Sequence, residues 1–163
     1  MTVAKALEGA NLVWQRVNEF MLANPSQSMQ RAIFLRDVKG ILATQKGNPK
    51  LQFLTVSNPA DDDLATVPEL STGGCTLYAF YGIKQNTATA AYFGASDSAT
   101  LSEAGDTNQL FQAAFLVGKD EVSIIFQPGL IVVNGIRVYS DTTQAGGTGS
   151  TSGDGPNCFF VVG

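Results

Sequence analysis

Histidine does not occur in this sequence, and cysteine occurs only twice, as Cys75 and Cys158. The chain therefore lacks the commonest general base, the commonest transition-metal ligand and any Cys/His zinc constellation. The two thiols open apolar, strand-like runs, GGCTLYAF and PNCFFVVG. They read as small core side chains, with pairing across adjacent strands as the alternative. Charge is also sparse. Asp, Glu, Lys and Arg make up 15 % of the 163 residues against 44 % hydrophobic, which is enough apolar matter for a core and too little charge for a disordered chain. No apolar run approaches the roughly 18 residues of a membrane span. The opening MTVAKALEGANLVW is broken by a lysine, a glutamate and a glycine, so it does not read as a secretory signal. The expectation is one domain with at most a small appendage, made in a cytoplasm.

The charges that are present are unevenly placed. Residues 1–50 carry seven basic and three acidic side chains, whereas residues 51–163 carry three basic and eleven acidic ones. A basic helical arm (1–49) followed by an acidic β domain (50–163) is the organisation this suggests. Such a split orients a molecule on a negatively charged surface, or is simply a solvated helix face. Nucleic acid fits less well, because the arm has no Arg/Lys cluster and the acidic body opposes it.

The arm has helical spacing. Val3, Leu7, Ala10, Trp14, Val17 and Met21 recur at alternating steps of four and three, with Val13 and Phe20 widening the stripe. Asn24-Pro25 ends this segment, since a residue before proline is driven out of the α region. Ser26 or Ser28 caps a second helix, SMQRAIFLRDVKGILATQ, with Phe34, Val38 and Ile41 on one face. Two uses of the first stripe compete: packing on the chain's own sheet, and self-association or docking on a neighbouring subunit, for which Trp14 and Phe20 would be anchors.

Beyond Pro49 short apolar runs alternate with turn residues: LQFLTV, CTLYAFYGI, TAAYFG, LFQAAFLV, EVSIIF, LIVV, IRVYS and CFFVV. Asn134-Gly135 predicts a two-residue hairpin between LIVV and IRVYS, and Pro128-Gly129 a turn before LIVV. Many short strands without intervening helices predict an antiparallel β-sandwich or jelly-roll, so the fold class is α+β.

Chemistry is harder to find. The Gly/Ser/Thr-rich 141–157 segment has the composition of a flexible loop and lacks the lysine and the following helix of a phosphate loop. Asp61-Asp62-Asp63 is the best ion candidate, but it lacks the alternation of a calcium loop and reads as solvated. Asp97, Asp106, Asp120 and Asp141 sit near turns and would act as an acid–base pair only if the fold brought two together. No serine has a histidine to activate it, and Lys84 and Lys119 read as surface charges. No catalytic residue, cofactor or metal ligand is assigned, and the chain reads as a non-enzyme.

At LYAFYGIKQNTATAAYFGASDSAT and PGLIVVNGIRVYSDTT the body resembles small virion proteins of tailed phages. The likeness lies in Asn86, Ala91 and Tyr92, the polar turn beginning at Asp97, the Pro128-Gly129-Leu130 turn, Gly135-Ile136 and the Asp-Thr-Thr at 141–143. It spans residues 75–163 and leaves the arm unexplained. It implies a β-sandwich subunit that decorates or joins a phage particle, with no catalytic residues to carry over. The function expected is therefore a capsid decoration or cement protein, located in the virion and assembled in the host cytoplasm. Its partners would be the major capsid protein or other virion subunits, and copies of itself, a trimer being favoured. In that reading Val3, Leu7, Trp14, Val17, Phe20 and Met21 grip the partner, and Arg31, Arg36 and Lys39 complement an acidic shell. The alternatives are a neck, tail or head-fibre component, and a module that binds glycan through the 141–157 loop with Tyr78, Tyr81 and Tyr92. A hydrolase built on paired aspartates is the third.

Overall fold

The structure is a computed structural model and describes residues 3–57, 73–84, 90–98, 108–116, 120–142 and 155–163, with side chains from Gly9 onward. The helical spacing of the arm forms two helices. Helix α1 spans Val3–Ala23 and stops ahead of Pro25; α2 spans Met29–Thr44 and is capped by Ser28, whose hydroxyl accepts from the Arg31 amide at 3.0 Å. Capping by a serine in extended conformation satisfies one of the amides a helix start leaves unpaired.

Seven strands follow among the described residues: β1 (Gln52–Ser57), β2 (Cys75–Lys84), β3 (Ala91–Asp97), β4 (Gln109–Phe115), β5 (Asp120–Val132), β6 (Ile136–Asp141) and β7 (Asn157–Val162). They form two antiparallel sheets, one of four strands in the order β1-β7-β2-β5 and one of three in the order β4-β3-β6. The class is α+β, and the sheets form a sandwich.

Strand alternation decides what each face of the larger sheet meets. Leu77, Phe80, Cys158, Phe160 and Val162 point to the smaller sheet, where Phe93, Ala95, Phe115, Ile136 and Val138 close the core. Their neighbours Ala79, Tyr81, Ile83, Phe159 and Val161 point the other way, onto Val13, Val17 and Met21 of α1 and Phe34, Val38 and Leu42 of α2. The order is helix layer, four-stranded sheet, three-stranded sheet. A bulge at Tyr78 keeps this sorting intact: β2 shifts register between Leu77 and Ala79, so Leu77 and Phe80 share a face although three positions apart.

Two turn expectations are corrected. Asn134-Gly135 does not close a hairpin. The end of β5 pairs with Cys75–Leu77 of β2 in the larger sheet, while β6 pairs with β3 in the smaller one. The pair is instead a corner between sheets, with Gly135 at φ 124° and the Asp97 carboxylate accepting from the amides of Val133 (2.9 Å) and Asn134 (2.6 Å). Burial outweighs the local turn signal here: Val132 and Ile136 both enter the inter-sheet core, one from each sheet. Pro128-Gly129 likewise does not separate two strands. It lies inside β5, where Phe126–Gly129 bulges opposite Tyr78, the Gln127–Pro128 bond is cis and Gly129 takes φ 135°. A proline is admissible there because β5 is an edge strand. Lys84, expected at the surface, is fully buried at the end of the central strand β2, opposite Asp120 in the register. Asp61-Asp62-Asp63, Asp106, Lys119 and most of the 141–157 loop lie outside the described residues.

Candidate functional site: an outward helix face over a polar clamp

Beneath the helices the packing is not wholly apolar. Arg31 on α2 is buried, at a place where an unpaired charge would cost several kcal/mol, on the order of its lost hydration. Each of its three nitrogens donates a hydrogen bond. Nε donates to the Tyr81 hydroxyl at 3.0 Å, Nη1 to the carbonyl of Met21 at 3.1 Å and Nη2 to the carbonyl of Asn24. Those carbonyls belong to the end of α1, so the guanidinium closes a helix C-terminus that attracts positive charge. The Tyr81 hydroxyl in turn donates to Glu121 on β5, whose other oxygen accepts from Ser26 at 2.7 Å. The nearest Arg31–Glu121 separation is 3.8 Å. Asn157 on β7 donates to the Asn24 side chain at 2.9 Å, adding a second tie between the interhelical turn and the sheet.

The titration behaviour of this cluster is that of a clamp. Burial, reinforced by the hydrogen bond to Glu121, pushes the Tyr81 hydroxyl well above its ordinary range. Burial also pushes the Glu121 carboxyl up, but hydrogen bonds from Ser28, Tyr81 and Ser26 and the Arg31 charge outweigh it and hold the acid below its usual value. Neither group is poised to exchange a proton near neutral pH, which general acid–base work requires.

The outward side of the same helices is unlike the side that packs. Leu22 is 81 % exposed, Met29 74 % and Ile33 45 %, and they stand around the turn that joins α1 to α2. Further along, Trp14 is half-buried with the Lys39 ammonium 5.9 Å from its ring centroid. Arg16 pairs with Glu19 at 3.3 Å and Arg36 with Asp37 at 3.2 Å, both at the surface, while the exposed Lys39, Lys46 and Lys50 give the layer its positive excess.

The residues expected to grip a partner divide accordingly. Val17 and Met21 are buried against the chain's own sheet, and Phe20 packs edge-on at 6.0 Å from Tyr81 and 4.9 Å from Phe159. Arg31 is spent in the clamp. These four are corrected from partner contacts to internal contacts, because the stripe they belong to is the one that covers the larger sheet. Trp14, Arg36 and Lys39 remain accessible; Val3 and Leu7 lie in α1, their side chains outside the described set. Tyr81, expected as a glycan contact, belongs instead to the clamp, while Glu121 and the exposed Leu22, Met29 and Ile33 had no place in the sequence reading. A signal for Arg31 was present: it precedes Phe34, Val38 and Leu42 by three, seven and eleven residues, on the stripe that is buried.

The other candidates are structural. Both cysteines are free, Cys158 buried with its thiol pushed up by that burial. Asp97 holds the inter-sheet corner, and Asp120 accepts from the amides of Leu116 and Glu121. Tyr81 is fully buried, and no sugar can stack on it, whereas Tyr78 and Tyr92 are half-buried. Among the described residues no group of three or more potential ligands is placed to hold a metal ion, and no helix is long and apolar enough to cross a membrane. Comparison with known proteins brings no relative: no family model, no curated protein and no solved structure matches the chain.

Proposed function

We propose that the chain is a non-enzymatic structural subunit of a tailed-phage particle, a capsid decoration or cement protein that docks through the outward face of α1 and α2. The observation that carries this reading is the exposure of Leu22, Met29 and Ile33 on a rigidly clamped helix layer. Each such side chain contributes roughly 1.5–3 kcal/mol when fully buried by a partner, and symmetry multiplies that gain over many copies. The basic excess of the same layer supports an acidic partner surface, for which the major capsid protein or a neighbouring virion subunit is the proposed source. Self-association, as a trimer, belongs to the same proposal, as does location in the virion after assembly in the host cytoplasm. The likeness of residues 75–163 to virion proteins supports the setting. A neck, tail or head-fibre component would use the same face at few copies per particle.

The test is mass spectrometry of purified particles of the phage that encodes the chain. Copy numbers on the scale of the capsid lattice are expected, falling at least tenfold for the Leu22→Glu/Met29→Glu variant with its melting temperature unchanged. A handful of copies per particle would move the protein to the neck, tail or fibre. Its absence from particles would overturn the proposal.

A further inference from the structure

A cleft of about 350 Å³ lies away from the exposed helix tip, where α2 passes over the bulge of β5. That volume falls within the roughly 300–1,000 Å³ of small-molecule sites. Three features of its lining define what it would accept. The first is an aromatic wall, supplied by Tyr78 on the β2 bulge; Phe126 on β5 also borders the cleft, but its ring packs toward Phe111 in the inter-sheet core. The second is planar hydrogen-bonding groups on opposite rims, Arg36 and Asp37 from α2 and Gln127 from β5. The third is space on the helix side: Gly40 faces the cleft, and a Cβ added there would meet nothing within 4 Å.

The polar groups are not used up by the fold. Arg36 and Asp37 bond only to each other, and through a single carboxylate oxygen, Oδ1, leaving Oδ2 open. The Tyr78 hydroxyl and the Gln127 amide take no part in any hydrogen bond of the described residues, and the Gln45 side chain uses only its oxygen, accepting from Asn48 at 3.1 Å. Charge narrows the ligand further. The one guanidinium is balanced by the one carboxylate beside it, so an anion meets Asp37 and a cation meets Arg36. A neutral ligand with closely spaced hydroxyls suffers neither, because planar guanidinium, carboxylate and amide groups each present two atoms to a vicinal diol. Its C–H face would lie on the aromatic wall.

We infer that this cleft is a binding site for a neutral saccharide, held between the α2 rim at Arg36–Asp37 and the β5 bulge at Gln127, with Tyr78 as its platform. The cleft lies along α2 beyond the exposed Leu22, Met29 and Ile33, and shares only Arg36 with the residues assigned to docking. It also replaces the aromatic set read from the sequence, since Tyr81 lies beneath the helices and only Tyr78 reaches the cleft.

Amide NMR titration of the full chain tests the inference, with glucose, galactose, mannose and N-acetylglucosamine as separate probes. Saturable shifts in the millimolar range are expected for at least one sugar, centred on residues 36–45, Tyr78 and 126–129. Gly40→Leu fills the helix side of the cleft and is expected to weaken that binding at least tenfold with helical circular dichroism retained. Gln127→Ala, on the exposed rim, is expected to weaken it at least threefold and probes the same cleft should the leucine variant not fold. No saturable shift with any of the four sugars overturns the inference. So do shifts that Gly40→Leu and Gln127→Ala leave unchanged.

Discussion

The two faces of the larger sheet solve different problems. The face toward the smaller sheet is closed by apolar side chains, with Phe80 against Phe93 at 5.4 Å and against Phe160 at 5.2 Å between ring centroids. The face toward the helices is also aromatic, yet it contains a buried arginine, a tyrosine hydroxyl and a carboxylate joined in one chain of bonds. Apolar packing is non-directional and tolerates small rotations, whereas a fully satisfied polar network fixes one arrangement. The contrast teaches that the inter-sheet core supplies cohesion, and that the helix side adds orientation. The proposed docking would need that orientation, because loose helices would present Leu22, Met29 and Ile33 in no constant pattern.

The contrast can be broken in graded steps. The largest effect is expected from a chain beginning at Lys50. It loses the buried partners Val13, Val17, Met21, Phe34, Val38 and Leu42, each worth roughly 1.5–3 kcal/mol, and so most of the ~5–15 kcal/mol a domain has in total. Scanning calorimetry should then show no cooperative transition, and a sharp one would mean that the sandwich stands without its helices. Next comes Phe160→Ala in the inter-sheet core, where removal of a fully buried ring costs about 3–5 kcal/mol in urea denaturation. Tyr81→Phe keeps the ring and removes only the hydroxyl that bridges Arg31 and Glu121, for a loss of about 1–3 kcal/mol. If the hydroxyl orients the helices, that variant should also raise amide exchange in the turn between α1 and α2 and leave β3 and β6 untouched.

Acidity separates the two faces as well. The Glu121 carboxyl is held below its ordinary value when folded, so its contribution is full above the unfolded value and is lost as pH falls through the folded one. Thermal melts of the wild type and Glu121→Gln should differ near neutrality and converge as the pH drops below the carboxylate range. A gap that persists in acid would place the effect elsewhere. The smallest change expected is a gain. Gly9 lies in α1 with open space at its Cβ, so Gly9→Ala should stabilise the chain by up to about 1 kcal/mol.

Periodicity made much of this fold legible. The three-and-four spacing of α1 and the apolar runs of β1 to β4, β6 and β7 are local signals, and the elements lie where those signals put them. Partner choice was not legible, because it depends on residues far apart in the chain. Asn134-Gly135 has the chemistry of a hairpin, but Leu130–Val132 and Ile136–Asp141 bury more by joining different sheets. Pro128-Gly129 has the chemistry of a turn, but an edge strand absorbs it as a bulge. The clamp was hidden for the same reason. Arg31, Tyr81 and Glu121 stand fifty and forty residues apart, and a lone arginine in a basic segment reads as surface charge until the helix stripe is followed through it.

The central claim is that the two helices are clamped parts of the fold, with only their outward side on offer. Native-state hydrogen exchange on the full chain tests this most directly. Amides from Val13 to Met21 in α1 and from Phe34 to Leu42 in α2 should be protected to the same degree as those of β2 and β7, and should open together with them. Helix amides that exchange freely while β2 and β7 stay protected would contradict the account, and would return α1 and α2 to the status of an independent arm.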